Sequence, residues 1–427
     1  MRNEHELRRS VVSEMHLRRW PALSPDCTVI QFLRQVAEDE REAEMAALAR
    51  LLLGAEAEPS PNPRHLQAAF APGIVFNWER HSEATTATLF VTRGAEAALD
   101  PHAEADVARA LDWMLDLPGK VVRATRIAVV ADEDAAAGML PRFGFEQNDL
   151  VSCHVGARDH GPGARIWSDF HLRADGFGAV LVAANGMPPG ELSRTLQRLQ
   201  ELGNYRNLAL LGLPLAQRGW KVLDGIERQL ATLGKRVGSA DVTDDALLQE
   251  VTGLSMELMT EAAASDFRMS ATAAYGRLVE ERLADLAIRP CHGFLSLADF
   301  TQRRFLPAIR TCAAHRRRED QLAQRTAQFI SLFRSRVETR IENQNARLLH
   351  SMERSISAQL RLQQLVEGLS VVALSYYLVG LIGYVLKGVE KEWPAIPATL
   401  ATAAVVPFVV LATWLAIRRI KKRILSA

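Results

Sequence analysis

From Gly368 to Leu386 no residue is charged, and from Ala395 to Ile417 none is either, giving apolar runs of 19 and 23 residues. A helix needs about 20 such residues to cross the ~30 Å of bilayer hydrocarbon. Residues 368-417 therefore read as a transmembrane hairpin (368-386 and 395-417), the alternative being a buried helical hairpin in a soluble core. Between the runs, Lys387 to Pro394 make a short polar turn with Trp393 placed for the interface. Beyond them, the tail 418-427 carries Arg418, Arg419, Lys421, Lys422 and Arg423 against only Lys387 and Lys391 in the turn. Positive charge stays in the cytoplasm, so both termini are expected there.

The segment feeding this hairpin contains neither Gly nor Pro between Pro307 and Gly368 and is rich in Arg, Gln, Leu, Glu and Ala. It predicts one long stalk helix, residues 297-367, continuous with the first span. A stripe runs along it through Leu322, Thr326, Phe329, Phe333, Val337, Ile341, Asn345, Leu348, Met352 and Ile356. Its spacing averages nearer eleven residues per repeat than seven, which predicts a nearly straight or slightly right-handed coiled-coil bundle. The partner is either another helix of the same chain or, through continuity with the span, further copies in a homo-oligomer. Asn345 either sets register on that stripe or reaches solvent at its edge.

The remainder divides by pattern. Residues 1-188 read as a cytoplasmic α/β domain. It opens with a helix over 25-55, and six strand-like runs follow: GIVFNWERH, TATLFVTRG, VVRATRIAVVAD, NDLVSCHVG, ARIWSDFHL and GAVLVAANG. Residues 189-296 read as antiparallel helices. The fold class is α+β with a membrane hairpin. The N-terminus lacks the apolar core of a signal peptide. The formal net charge of +1 carries no nucleic-acid signature, and the four scattered cysteines form neither a disulfide framework nor a zinc ribbon. Charge is nevertheless uneven. Residues 239-266 carry Asp241, Asp244, Asp245, Glu250, Glu257, Glu261 and Asp266 with no Lys or Arg, while the upper stalk is rich in Arg. The two blocks either dock on one another or form solvated faces.

Chemistry-bearing patterns are few. In WERHSE, strand alternation puts Glu79, His81 and Glu83 on one face, where they hold a divalent ion such as Mg²⁺, form a general-base site or line a solvated edge. Asp169 and His171, and Glu14, His16 and Arg18, repeat the idea. Cys153-His154 and Cys291-His292 place donors on adjacent residues whose side chains diverge, a poor zinc set. The phosphate-loop, dinucleotide, HExxH and GxSxG patterns are missing, so no enzyme is expected and no bound cofactor. Just before the membrane, Gln359, Gln363 and Glu367 step every four residues. In a symmetric oligomer these would ring an axis with amides and carboxylates that attract cations; in a monomer they would meet headgroups and water.

The stretch LRLQQLVEGLSVVALSYYLVGLIGYVLKG, with WERH, IWSDFHLRADGF, the Tyr205-Arg206 helix ending in LLGLPLA, and FLPAIRTC, resembles a bacterial family catalogued as a domain of unknown function and described as an uncharacterised membrane-anchored protein. That family typically has ELHARPFP where this chain reads Glu14-Met-His16-Leu-Arg18-Arg19-Trp20-Pro21. The order of parts is also similar to the CorA family of divalent cation channels. This second resemblance implies a homopentamer with a pore along Asn345, Met352, Gln359, Gln363, Glu367 and Ser370. In place of the Gly-Met-Asn filter of that family, the chain reads Gly383-Tyr384-Val385. The expectation is thus a CorA-like divalent metal cation transporter or a non-conducting relative. The alternative is a membrane-tethered binding or scaffold protein whose soluble partner the sequence does not name.

Overall fold

In the computed structural model, which describes residues 4–15, 18–52, 57–58, 64–156, 163–239, 242–392 and 397–425, a short helix α1 (Arg8–Glu14) precedes strand β1 (Cys27–Gln35). Strand β1 replaces the front of the helix expected over 25-55. Only its Glu-rich second half is helical, as α2 (Arg41–Leu52). The reason is burial on both faces. Val29 packs into one core, Ile30 and Phe32 into another, and all but the last residue of β1 is buried. A strand buried on both sides loses the polar alternation that would reveal it.

Next come β2 (Ala57–Glu58), β3 (His65–Ala71), β4 (Ile74–Arg80), β5 (Thr85–Val91), α3 (Ala105–Leu115), β6 (Lys120–Val130), α4 (Glu133–Met139), β7 (Val151–Val155), β8 (Ala164–Ser168) and β9 (Gly178–Ala183). The helices α5 (Pro189–Leu210), α6 (Leu213–Arg236) and α7 (Asp244–Asp285) follow, then a two-residue strand β10 (Arg289–Pro290). Among the described residues the strands form one sheet in the order β10-β7-β8-β9-β6-β1-β5-β4-β3-β2. Its pairings are antiparallel except for β6 with β9. All six expected strands are present, as β4 to β9.

Each face of the sheet is covered by helices. On one, Leu192, Leu196, Leu199 and Leu202 of α5 and Val279 of α7 join Val29, Ile127, Val151, Val155 and Val180 in a single core. On the other, Leu48 of α2 and Val107, Leu111 and Met114 of α3 pack on Ile30, Phe76, Trp78 and Leu89. Because α5 and α7 share a core with the sheet, no break in packing falls at residue 188. Of the region expected as a separate helical subdomain, α5 and the C-terminal part of α7 cover the sheet, while Ala216 of α6 packs with Met269 and Cys312.

After α8 (Leu297–Phe300) and a π-turn (Thr301–Phe305), helix α9 runs unbroken from Leu306 to Glu392. Helix α10 spans Ala398–Leu425 and accommodates Pro407. The chain divides into two compact units: residues 1–242 with 249–330, and residues 243–248 with 331–427. In the first, Cys312 packs with Ala216 and Met269, and Phe329 lies by Gly234, so the upper stalk finds its partners in its own chain. Here the basic and acidic blocks do dock. Arg316 reaches Asp266 of the acidic block at 2.9 Å, while Arg318 pairs outside that block, with Asp224 at 2.6 Å and Glu227 at 2.5 Å on α6. Within the second unit Arg336 pairs with Asp244 at 3.2 Å and Arg340 with Asp245. Asp241 lies outside the described residues.

Candidate functional site

Strand β4 ends at Arg80, so the alternation expected to align Glu79, His81 and Glu83 stops after the first of them. Glu79 accepts from Arg18 Nη1 at 2.8 Å. Glu83 is held by both guanidinium nitrogens of Arg268, at 3.0 and 2.6 Å. His81 Nε2 lies 3.5 Å from Thr86 Oγ1, and burial holds the ring below its ordinary range, the charge of Glu79 opposing and that of Arg18 assisting. The carboxylates are thus committed to arginines distant in sequence. Among the described residues no three of His, Cys, Asp or Glu are arranged to hold a metal.

Behind this group lies a buried polar seam between α5 and the sheet. Asn204 Nδ2 donates to Gln31 Oε1 at 3.0 Å, Gln31 Nε2 donates to Thr88 Oγ1 at 2.9 Å, and Arg123 Nη1 donates to Asn204 Oδ1 at 2.9 Å. Burial, with Arg206 nearby, draws the Arg123 guanidinium down to about 9. The cavity lined by Trp20, Glu79, His81, Gln200, Tyr205 and Tyr275 amounts to about 20 Å³. That is the space of a water molecule, and Gln200 Nε2, without a protein partner, is placed to use one. The seam fastens a helix to a sheet and has no room for a substrate.

The Asp169 and His171 pair also differs from expectation. Strand β8 ends at Ser168, and Phe170 takes a positive φ of 55°, so the two do not project from one side of a strand. Asp169 instead accepts from the backbone nitrogens of Glu146 and His171 at 3.0 and 3.1 Å and from Arg173 at 3.0 Å. Burial opposes ionisation here, but these donors hold the carboxyl below its ordinary range. His171 pairs at the surface with Asp149 at 3.1 Å. Glu14 meets Arg18 and Arg64, while His16 and the turn residue Trp393 lie outside the described residues.

The two Cys-His pairs set aside as zinc ligands are brought together in another combination. Strand β10 pairs with β7 so that Arg289 faces His154, and Cys291, which follows β10, places Sγ 3.3 Å from His154 Nδ1. On the other side of the ring, His154 Nε2 lies 3.2 Å from Glu133 Oε1. Glu133 starts α4, where the helix dipole favours a carboxylate. It is fixed by Arg165 Nη1 at 2.5 Å and Asn185 Nδ2 at 3.4 Å. Burial works against ionisation, but the hydrogen bonds from Arg165 and His154 and their charges keep its carboxyl below the ordinary range. Arg165 is itself anchored by Ser152 Oγ at 3.0 Å and lies over the Trp167 ring at 4.8 Å. Cys27, Cys153 and Cys312 are buried, whereas Cys291 is partly exposed. Burial, with Asp26 nearby, pushes the Cys27 thiol up to about 12, and burial raises Cys153 to about 11. Cys291 and His154 are 137 positions apart, and no local pattern links them.

Asn345, Met352, Gln359, Gln363, Glu367 and Ser370 all lie on α9 within the second unit. Asn345, Met352, Gln359 and Gln363 are exposed along it, and Ser370 Oγ donates to the Val366 carbonyl at 2.8 Å. Two helices, the distal part of α9 and α10, are long and apolar enough to cross a membrane. They flank a groove of about 760 Å³ lined by Tyr376, Tyr377, Gly380, Tyr384, Lys387 and Thr402. At Gly383 a methyl group would lie 3.7 Å from Thr402 Cγ2, an ordinary van der Waals contact between the two helices.

Residues 3–424 match the model of a family described as a protein of unknown function, DUF3422, and the chain belongs to that family. Neither the curated proteins nor the solved structures contain a match to it.

Proposed function

We propose that this member of the DUF3422 family is an inner-membrane protein, anchored by α9 and α10 with both termini in the cytoplasm, whose sheet-bearing unit works as a membrane-tethered module. The observation that carries this is the apolar surface of the two helices. Leu369 is 77% exposed, Leu381 68% and Phe408 72%, with Val372, Val385 and Leu400 also open. A contiguous surface of that kind is costly in water and suited to hydrocarbon. The basic residues after the second span and their scarcity in the turn support the orientation. Membranes from cells expressing the full chain test it. The protein is expected to stay in the pellet after alkaline carbonate, with a tag at either end cleaved only when the cytoplasmic face is open. Release into the supernatant would refute the anchor.

A second reading, a homo-oligomeric CorA-like pore for a divalent cation such as Mg²⁺, is favoured by one observation. Asn345, Met352, Gln359, Gln363, Glu367 and Ser370 step by seven, seven, four, four and three along one continuous helix and so share a face. The reading without conduction is preferred because Gly383-Tyr384-Val385 stands where a filter would be. Reconstituted liposomes separate the two. A pore predicts Mg²⁺ flux that changes with Glu367→Ala, whereas a tether predicts no flux in either protein.

A further inference from the structure

We propose that Cys291, His154 and Glu133 form a thiol nucleophile centre that accepts acyl groups from activated esters and thioesters. The proposal is independent of whether the hairpin crosses a membrane, and it gives the chain an activity that its sequence motifs did not announce.

The orientation of the relay follows from what each group can do. An ionised carboxylate only accepts hydrogen bonds, so Glu133 Oε1, 3.2 Å from His154 Nε2, requires the imidazole proton to sit on Nε2. That leaves Nδ1 with its lone pair free to take a proton, and the group 3.3 Å from Nδ1 is the Cys291 thiol. Nucleophile, base and orienting acid stand in line within hydrogen-bond reach, the arrangement that activates a thiol. Glu133 in turn is immobilised by Arg165 and Asn185, and Asn185 Nδ2 is tied to the Gly163 carbonyl at 3.1 Å.

The thiol is also pre-positioned by its backbone. The Phe294 nitrogen donates to the Cys291 carbonyl at 3.2 Å, closing a four-residue turn in which Gly293 adopts φ +84°. Such a turn needs a residue tolerant of positive φ at its third position. Both ends of the turn are held to β7, by the pairing of β10 before it and by Ser152 N donating to the Leu295 carbonyl at 3.0 Å after it. Cys291 is the partly exposed cysteine of the four, so a reagent can reach it.

The chemistry balances with the groups present and a water molecule. As Sγ attacks the carbonyl carbon, its proton passes to His154 Nδ1 and the new S–C bond forms. Collapse of the adduct breaks the bond to the alkoxide or thiolate leaving group, which takes that proton from Nδ1. A water then attacks the thioester, losing a proton to Nδ1, and the proton returns to Sγ as the acid departs. Glu133 holds the transient imidazolium without taking its proton.

The full-length protein in detergent micelles is incubated with p-nitrophenyl acetate or an acetyl thioester, and the site of acetylation is read by mass spectrometry. Acetyl is expected on Cys291, absent in Cys291→Ala, with the rate falling about 100-fold in His154→Gln, the scale of a lost general base, and less in Glu133→Gln. The wild-type pH profile, which needs no variant to fold, is the second measurement. A relay predicts a rate that levels off near neutrality, whereas an unassisted thiol gains about tenfold per pH unit up to about pH 8.5. Acetylation absent from Cys291, a His154→Gln rate equal to wild type, or an unassisted profile would each overturn the proposal.

Discussion

On helix α6, Gly219 and Gly225 differ only in what surrounds them, which makes Gly219→Ala a direct test of how α6, α7 and α9 pack. A methyl group added at Gly219 would lie 2.2 Å from His315 Nε2 and 2.6 Å from Glu261 Oε1, while one added at Gly225 meets nothing within 4 Å. His315 is fully buried, so it has little freedom to retreat. Either substitution gains the ~1 kcal/mol by which Ala exceeds Gly in a helix, and that gain cancels when the two are compared. What remains is the cost of overpacking, about 1–3 kcal/mol. At about 1–2 °C per kcal/mol for a unit of this size, Gly219→Ala should melt roughly 1–6 °C below Gly225→Ala. Circular dichroism of both full-length variants in the same detergent reads the difference. Equal melting temperatures, or a more stable Gly219→Ala, would refute the placement of His315 and Glu261 against α6.

Further outcomes follow from the same contacts. The side chains of Arg268 and Glu83 are 14% and 10% exposed and meet at 2.6 Å. Arg268→Leu should therefore cost about 3 kcal/mol by stranding the carboxylate, with part recovered when Glu83→Leu is added. Trp78 Nε1 donates to the buried carboxylate of Glu44 at 3.0 Å; Trp78→Phe removes the donor and should lower stability by about 1–3 kcal/mol in denaturant titration. Burial holds His65, His81 and His315 below the ordinary value of 6.5. The unfolded chain then binds more protons than the folded one as pH falls below 6.5, so these groups' contribution is complete above that pH and is lost below it. A melting temperature that failed to fall between pH 7 and pH 5.5 would contradict their burial as neutral rings.

What could be read from the sequence was what local pattern encodes. The strands β4 to β9 announced themselves through β-branched and aromatic runs between glycines, and the stalk through its freedom from Gly and Pro. Strand β1 did not, because Gln31 and Arg34 are buried along with its apolar residues and the sheet covers it on both edges. Strand β10 could not, since it has two residues and one is proline, which offers neither period nor donor. Missing β10 hid the contact of Cys291 with His154.

The same distinction explains why the charge blocks were legible and the expected ion site was not. Block complementarity survives an error of several residues in register. Arg316, Arg336 and Arg340 of the stalk each find an acid of the stretch 239-266, Asp266, Asp244 and Asp245. A metal site needs three donors within about 2–2.5 Å of one point, and alternation along a strand supplies at most a shared face. For Glu79, His81 and Glu83 that face ended at Arg80, and Arg18 and Arg268, 61 and 185 positions away, claimed the carboxylates. Sequence periodicity assigns a side chain to a face, but tertiary pairing decides its partner. The residues that carry chemistry here are therefore those joined by a short edge strand, not those nearest in the chain.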